Sequence, residues 1–326
     1  MAMRETESAA GMAAHTAGMP LLHKAIFLGL FAFLMLLPFM VYPVFAMKLM
    51  CFALFAAAFN LLLGFGGLLS FGHAAYFGGA SYIAAHAAKV WGLTPELSIL
   101  CGTAAAAVLG LLIGSLSIRR QGIYFAMVTL AFAQMVYFVA LQAEFTGGED
   151  GIQSVPRGDL FGLIPLHDNL SLYFFVLAVT FGGVLMLYRI THSPFGQVLK
   201  AIRENEPRAV SLGYDVNRYK LMVFTLSATF AGLAGATKSQ VFQLASLTDV
   251  HWSMSGEVVL MTLLGGMGTI FGPLLGAAII VTMQNFLATF GAWVTIIQGV
   301  IFVIGVLLFR EGIIGVISRW LKRPLP

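Results

Sequence analysis

The amino-acid sequence predicts an all-α, polytopic integral membrane bundle of about eight to ten transmembrane helices, some of them short or broken at glycines. Apolar side chains make up 59% of the 326 residues and charged ones only 10%, whereas soluble domains carry about 25% charged residues. Apolar runs near the length of about 20 residues that crosses a bilayer recur along the chain. Basic residues lie at the ends of these runs rather than in one patch, which argues against a nucleic-acid-binding surface.

The elements follow in chain order. Residues 1–24 are predicted to be a disordered cytoplasmic tail without a cleavable signal peptide, because the first apolar run is too long for one. Ten spans are predicted, at 25–47, 50–70, 73–90, 97–118, 122–143, 170–190, 219–242, 255–269, 272–290 and 293–309. The third and eighth are short enough to be half-helices or re-entrant segments. Residues 25–310 then form a single transmembrane domain, and 311–326 form a cytoplasmic C-terminal tail.

Lysine and arginine predict the orientation, because they collect in cytoplasmic loops. With both termini in the cytoplasm, all of the 18 basic residues except Lys48, Lys89, Arg157 and Lys238 lie on the cytoplasmic side. The opposite orientation would reverse that ratio. Residues 144–169 are then a long external loop, acidic apart from Arg157. We interpret this loop either as a docking surface for an external partner or as a simple solvated connection.

Residues 191–218 form a polar interlude between two predicted spans. Its apolar residues predict short amphipathic helices, interrupted at Pro207, with charged side chains on the opposite face; the apolar positions are Leu199, Ile202, Ala209, Val210 and Leu212. Gly213 suits the position after a helix end, where a positive φ is needed. Such an element indicates docking to a soluble cytoplasmic partner. A helix lying on the membrane surface is the alternative.

The same segment carries a resemblance to a known family. The run Arg203-Glu204-Asn205-Glu206, followed by Arg208-Ala209, Gly213-Tyr214 and Lys220, resembles the cytoplasmic coupling motif of ABC importer permeases, above all the LivM-type branched-chain amino acid permeases. That motif usually has two small residues after its second glutamate, and Arg208 occupies one of these positions here. Further matches span about residues 25–315, at 66–74, at 146–151, at 227–235 and at 264–269.

The resemblance implies the permease subunit of an ATP-driven importer for branched-chain amino acids or related small polar solutes, in the bacterial inner membrane. Urea, amides and aromatic acids are alternative solutes within the same family. The implied partners are cytoplasmic ATPase subunits, a second homologous permease, a periplasmic solute-binding protein and membrane lipid. ATP and Mg would bind the ATPase subunits, which agrees with the lack of a GxxxxGK(S/T) loop in this chain. The implied ATPase-coupling residues are Arg203, Glu204, Glu206, Arg208, Ala209, Gly213 and Tyr214.

Two glycine-rich breaks, at 64–80 and 264–277, share a weak internal repeat. Discontinuous helices in matching positions often mark transport sites, although close helix packing through small residues is the alternative. Polar groups inside spans usually face the bundle interior. The tentative translocation path therefore comprises Asn60, Ser70, His73, Tyr76, Gln134, Ser227 and Thr269. For His73, a hydrogen bond between helices is the competing interpretation.

Other classes of function fit less well. Glu257 is the only carboxylate predicted within a span, which disfavours an ion-coupled secondary carrier. Neither HExxH nor GxSxG occurs, and the histidines show no metal-ligand spacing, so an enzyme is not expected. Cys51 and Cys101 lie in separate apolar stretches and predict neither a disulfide nor a metal site.

Overall fold

A computed structural model of the chain describes residues 21–162, 164–288, 291, 293–308 and 312–321. Helices dominate it, as expected in lipid, where each backbone N–H and C=O must find a partner inside the protein. The helices are α1 (Leu21–Leu36), α2 (Pro43–Asn60), α3 (His73–Lys89), α4 (Pro95–Ser117), α5 (Ile123–Gln142), α6 (Asn169–His192), α7 (Pro194–Glu204), α8 (Glu206–Ser211), α9 (Val216–Phe242), α10 (Trp252–Gly265), α11 (Phe271–Leu287), α12 (Trp293–Leu308) and α13 (Gly312–Leu321).

The described residues of all ten predicted spans are largely helical, which confirms the fold class. Within the described ranges, five helices are long and apolar enough to cross a membrane: Pro43–Phe65, Pro95–Ser117, Ile123–Gln142, Asn169–His192 and Val216–Phe242. The third and eighth predicted spans correspond to α3, of 17 residues, and α10, of 14 residues. Both are short, as predicted.

The first predicted boundary was wrong. Instead of one span over 25–47, α1 ends at Leu36, a 3-10 turn covers Leu37–Phe39, and α2 begins at Pro43. Pro38 and Pro43 cause the difference, because proline lacks an N–H and is tolerated at the first turn of a helix rather than in its interior. Lys48, predicted to lie between spans, therefore lies within α2.

The predicted terminal tails overlap described helices. α1 already begins at Leu21, inside the predicted tail of residues 1–24, whereas residues 1–20 lie outside the described residues. Residues 312–321 of the predicted C-terminal tail form helix α13, and Gly312 packs against the backbone of Gly266.

The core is built around α9, which packs on α2, α3 and α4, while α2 also contacts α6, α10 and α11. Small residues allow these helices to approach closely. Gly235 of α9 lies against the backbone of Phe77 in α3, and Gly276 of α11 lies against the backbone of Met261 in α10, so neither position has room for a Cβ atom. Close packing through glycine, the alternative interpretation of the glycine-rich stretches, is therefore present in the structure.

The bundle has two different ends. At the acidic end, which contains residues 144–169, strand β1 (Ile152–Gln153) pairs antiparallel with β4 (Leu244–Ala245), and β2 (Asp159–Leu160) pairs with β3 (Ile164–Pro165). Side chains fasten this loop to the helices. The Lys89 ammonium donates to the Gln153 carbonyl at 2.7 Å, and the Arg157 guanidinium donates to the Val241 carbonyl at 2.6 Å. The predicted external loop is thus a folded cap.

The coupling end, which contains residues 191–218, lies at the opposite ends of the helices. The Gln121 amide lies 3.3 Å from the Glu206 carboxylate, so the connection between α4 and α5 lies beside this segment. The neighbouring Arg119 and Arg120 were predicted to share a side of the membrane with residues 191–218. The structure places them at the same end of the bundle.

Candidate functional site

The coupling segment consists of two capped helices. The Asn205 side chain accepts a hydrogen bond from the Arg208 N–H at 3.0 Å and so begins α8. The interruption lies at Asn205, not at Pro207 as predicted, because proline fits the first turn of a helix. At the far end Gly213 has φ +87°, its N–H donates to the Val210 carbonyl at 2.9 Å, and the Tyr214 N–H donates to the Ala209 carbonyl at 3.2 Å. This is a Schellman motif, which confirms the predicted helix end.

The apolar positions of the segment divide into two groups. Leu199, Ile202 and Ala209 are buried, and the last two pack with Val216 of α9. Val210 and Leu212 were predicted on the same apolar face but are 57% and 69% exposed. The exposed pair lies in the same short stretch as Tyr214, which is 40% exposed. Apolar side chains grouped on an exposed polar element indicate a contact surface for another molecule.

The charged positions also divide. The Arg203 guanidinium donates to the Gly64 carbonyl, and its side chain crosses Gly67, where a Cβ would lie 2.9 Å from the Arg203 Cγ. Glu206 forms an ion pair with Lys220 at 2.8 Å, and the lysine side chain is only 7% exposed. Among the described residues Glu204 and Arg208 are exposed and form no ion pair. Two of the four predicted coupling charges are therefore bound within this chain.

Asn60 joins the two glycine-rich breaks. Its buried amide donates to the Thr269 carbonyl at 2.7 Å and accepts from the Gly268 N–H at 3.0 Å. Gly268 has φ +76°, a backbone conformation that favours glycine, and a Cβ on Gly64 would lie 2.6 Å from the Gly268 nitrogen. We call this contact between residues 64–67 and 266–269 the glycine joint. Arg203 reaches it from α7, so the coupling segment and both breaks meet at one place.

Three predicted path residues lie at the centre of the bundle. The His73 Nε2 lies 2.8 Å from the Ser227 hydroxyl, which donates to the Ala58 carbonyl at 2.6 Å. Because serine has a single hydroxyl proton, it accepts from a His73 Nε2–H. The Tyr76 ring lies 5.7 Å from the His73 ring, and its hydroxyl makes no hydrogen bond among the described residues. His73, Tyr76 and Ser227 are completely buried.

These hydrogen bonds join α2, α3 and α9, which is the competing interpretation given above for His73. In this arrangement no solute reaches the group, and contact of these residues with a solute remains a prediction. Ser70 is also completely buried and accepts from the Gly72 N–H at 3.1 Å. Gln134 is half-buried on α5 and makes no side-chain hydrogen bond within the described part of the chain.

Sequence reasoning missed a group of charges near the acidic end. The Lys238 ammonium, on α9, forms an ion pair with Asp249, in the 3-10 turn Leu247–Asp249; their side chains are 13% and 2% exposed. Lys238 was predicted on the external side of the membrane, at the end of the span 219–242, and Asp249 was not considered. A lysine within an otherwise apolar stretch was the available signal. In the described ranges no group of three or more His, Cys, Asp or Glu side chains is arranged to hold a metal ion.

Comparison with known proteins adds the family. A family model described as "Branched-chain amino acid transport system / permease component" matches residues 25–306. LivM, a high-affinity branched-chain amino acid transport permease of Escherichia coli, is 29% identical over 240 residues, which cover 67% of this chain and 56% of LivM. The ribose import permease RbsC of Bacillus subtilis is 30% identical over 195 residues, covering 55% of this chain and 58% of RbsC.

The fructose import permease FrcC of Rhizobium meliloti is 24% identical over 247 residues, covering 72% of this chain and 65% of FrcC. The match thus spans little more than half the length of LivM and RbsC. No solved structure matches the chain.

Proposed function

Because the chain belongs to the family of branched-chain amino acid transport permease components, we propose that it is the membrane subunit of an ATP-driven ABC importer in a bacterial inner membrane. One observation carries this proposal. At one end of the bundle, two capped helices present the exposed charges of Glu204 and Arg208 beside exposed Val210 and Leu212, and Arg203 ties them to the glycine joint. Because Arg203 connects this surface to the glycine joint, a partner bound to the surface can transmit force to the helices.

In this proposal the ATPase subunits bind α7 and α8 from the cytoplasm. Movement of α7 pulls on Arg203, and the backbone of Gly64 follows because it accepts that hydrogen bond. Asn60, at the end of α2, is hydrogen-bonded to Gly268 and Thr269, just before α11. The same displacement therefore moves the end of α2 and the start of α11 together. A second permease subunit completes the path, and a solute-binding protein docks on the folded cap of residues 144–169 at the acidic end. Access to the solute then alternates without covalent chemistry in this chain.

We propose branched-chain amino acids as the solutes. Support comes from the family description, whereas RbsC and FrcC show that related permeases import sugars. Urea, amides and aromatic acids remain alternatives within the family. An ion-coupled carrier is the alternative mechanism, and such a carrier needs no nucleotide.

Reconstitution tests the proposal. We expect the chain, purified with the ATPase subunits, permease partner and binding protein encoded beside it, to take up leucine into proteoliposomes only with ATP. Arg208→Glu should lower the rate of uptake at least about tenfold, because a reversed charge at a docked surface makes an attraction a repulsion. Thermal unfolding should not change, since Arg208 is exposed.

Arg218→Glu is the matched control. Arg218 is an exposed arginine at the same end that forms a surface ion pair with its neighbour Asp215, and such surface pairs contribute little. Leucine uptake by the purified chain alone, without nucleotide or ATPase subunits, would overturn the proposal.

A further inference from the structure

Four charged side chains lie together near the acidic end: Lys48 of α2, Lys238 of α9, Asp249 of the Leu247–Asp249 turn and Glu257 of α10. Lys238 and Asp249 form the ion pair described above. The Lys238 ammonium also lies 5.8 Å from the ring centre of Phe77. Lys48 and Glu257 are close enough to interact electrostatically with each other and with that pair, and Gln284 of α11 is beside Glu257.

The cluster is neutral in sum but incompletely paired. Two ammonium groups face two carboxylates, yet within the described residues Lys48 and Glu257 form no ion pair closer than 4.0 Å. Asp249 is 2% exposed, and its Oδ2 atom is buried and accepts no hydrogen bond from the described part of the chain. Buried carboxylate oxygens are normally satisfied. The Lys48 ammonium and the Glu257 carboxylate can therefore each still bind a group of opposite charge.

The exposed fractions of the side chains show which side of the cluster is accessible. Lys48, Glu257 and Gln284 are half-buried, so each keeps an accessible edge, whereas Asp249 lies behind them. A charged edge facing lipid is costly, and ionisable groups inside membrane proteins face a cavity or the bundle interior. This face of α2, α10 and α11 therefore belongs to an aqueous path or to a contact with another subunit.

We propose that this cluster binds the zwitterionic head of an α-amino acid, with the solute carboxylate on Lys48 and Gln284 and its ammonium on Glu257. An α-amino acid carries opposite charges on adjacent atoms, and Lys48 and Glu257 offer the complementary pair. The Lys238–Asp249 pair behind them keeps the site neutral when the solute leaves. The inference rests on the proposed function and assigns its solute class, because neutral sugars and urea have no charged ends to match.

A purely structural role for Lys48 and Glu257 is the competing explanation, and charge exchange separates the two. Lys48→Met and Glu257→Gln should each lower kcat/KM for leucine uptake by about tenfold or more, the loss of one charge-assisted hydrogen bond. The double variant Lys48→Glu/Glu257→Lys keeps opposite charges at the two positions. It should retain wild-type thermal unfolding but not regain uptake, since the solute head would meet like charges.

Lys24→Met is the control outside the cluster. It removes an exposed charge from α1, outside residues 144–169 and 191–218, and should leave leucine uptake within about twofold of wild type. Normal uptake by Lys48→Met and Glu257→Gln, or its recovery in the exchanged double variant, would overturn the inference while the proposed function stands. Wild-type complex that drives ribose but not leucine uptake would overturn the assigned solute class. Absence of any ATP-driven uptake would overturn the proposed function, and the inference with it.

Discussion

The two acidic side chains of the coupling motif have different surroundings. Glu206 pairs with Lys220, whose ammonium is almost fully enclosed, and also lies 3.3 Å from the Gln121 amide. Glu204 is exposed and has no ion-pair partner among the described residues. The motif therefore combines a residue that stabilises the segment with one that is free to contact another molecule.

Glu206→Lys should destabilise the protein. It would place a second cation against enclosed Lys220, and breaking such a pair costs about 1–3 kcal/mol while Glu206 remains partly exposed. We expect a lower melting temperature of the detergent-solubilised chain in a fluorescence-monitored unfolding experiment.

Glu204→Lys is the matched reversal and should leave the melting temperature unchanged. Lys220→Met added to Glu206→Lys should restore most of the lost stability, because it removes the enclosed charge. Equal melting temperatures for Glu206→Lys and wild type would show that the ion pair does not hold the segment.

At the scale of the secondary-structure element, the helix ends determine the shape of the coupling segment. Asn205 begins α8 through its side chain, and Gly213 ends it in a left-handed conformation. No atom of the described residues lies within 4 Å of a Cβ built on Gly213, so backbone conformation is what favours glycine there. A substitution at Gly213 therefore tests backbone conformation separately from packing.

Gly213→Val should therefore cost about 1–2 kcal/mol, the penalty for a β-branched residue in the left-handed region. Because the change alters the path of the chain after Ser211, we also expect fewer molecules of leucine transported per ATP hydrolysed. Gly213→Asn is the control and should keep both properties near wild type, since asparagine tolerates this conformation. A Gly213→Val protein as stable and as coupled as Gly213→Asn would contradict the Schellman geometry.

On the scale of the whole molecule, the two ends differ in chemistry. The coupling end has short helices with mixed charge, and the acidic end has a folded cap over α3, α4 and α9. Between the two ends, the described central helices carry neutral polar side chains such as His73, Tyr76 and Ser227. From this arrangement and the distribution of basic residues we predict that the coupling end faces the cytoplasm.

We expect cysteines at the two ends to label from opposite sides of the membrane. In a Cys51→Ala/Cys101→Ala background, Glu149→Cys should react with an impermeant maleimide in intact spheroplasts. Arg208→Cys should react only after permeabilisation. Both positions are exposed, so a difference in reaction reports sidedness rather than burial. Labelling of Arg208→Cys in intact spheroplasts would contradict the proposed orientation.

Local chemistry explains which features the sequence could predict. The spacing of apolar residues predicted the helices, and Gly213 predicted a helix end, because both signals depend only on residues close by in the sequence. The partners of Asn60 are 208 and 209 residues away, and Asp249 pairs across a turn with Lys238, so no local pattern contains these contacts. Val210 and Leu212 were assigned to the wrong face because α8 has only six residues, ends at Ser211 and buries Ala209, so its pattern is too short to define an apolar face.

The wide turn that continues α2 has one more consequence. Residues Leu61–Phe65 form a π-helix, in which the Gly66 N–H donates to the Leu61 carbonyl at 3.2 Å. A π turn contains one residue more than an α turn of the same length. Were it to tighten into α-helix, α2 would shift by one register position and turn by about 100° relative to the residues that follow Phe65. A displacement of the Gly64 backbone by Arg203 would therefore rotate α2. Lys48 lies on the same helix and would move with it.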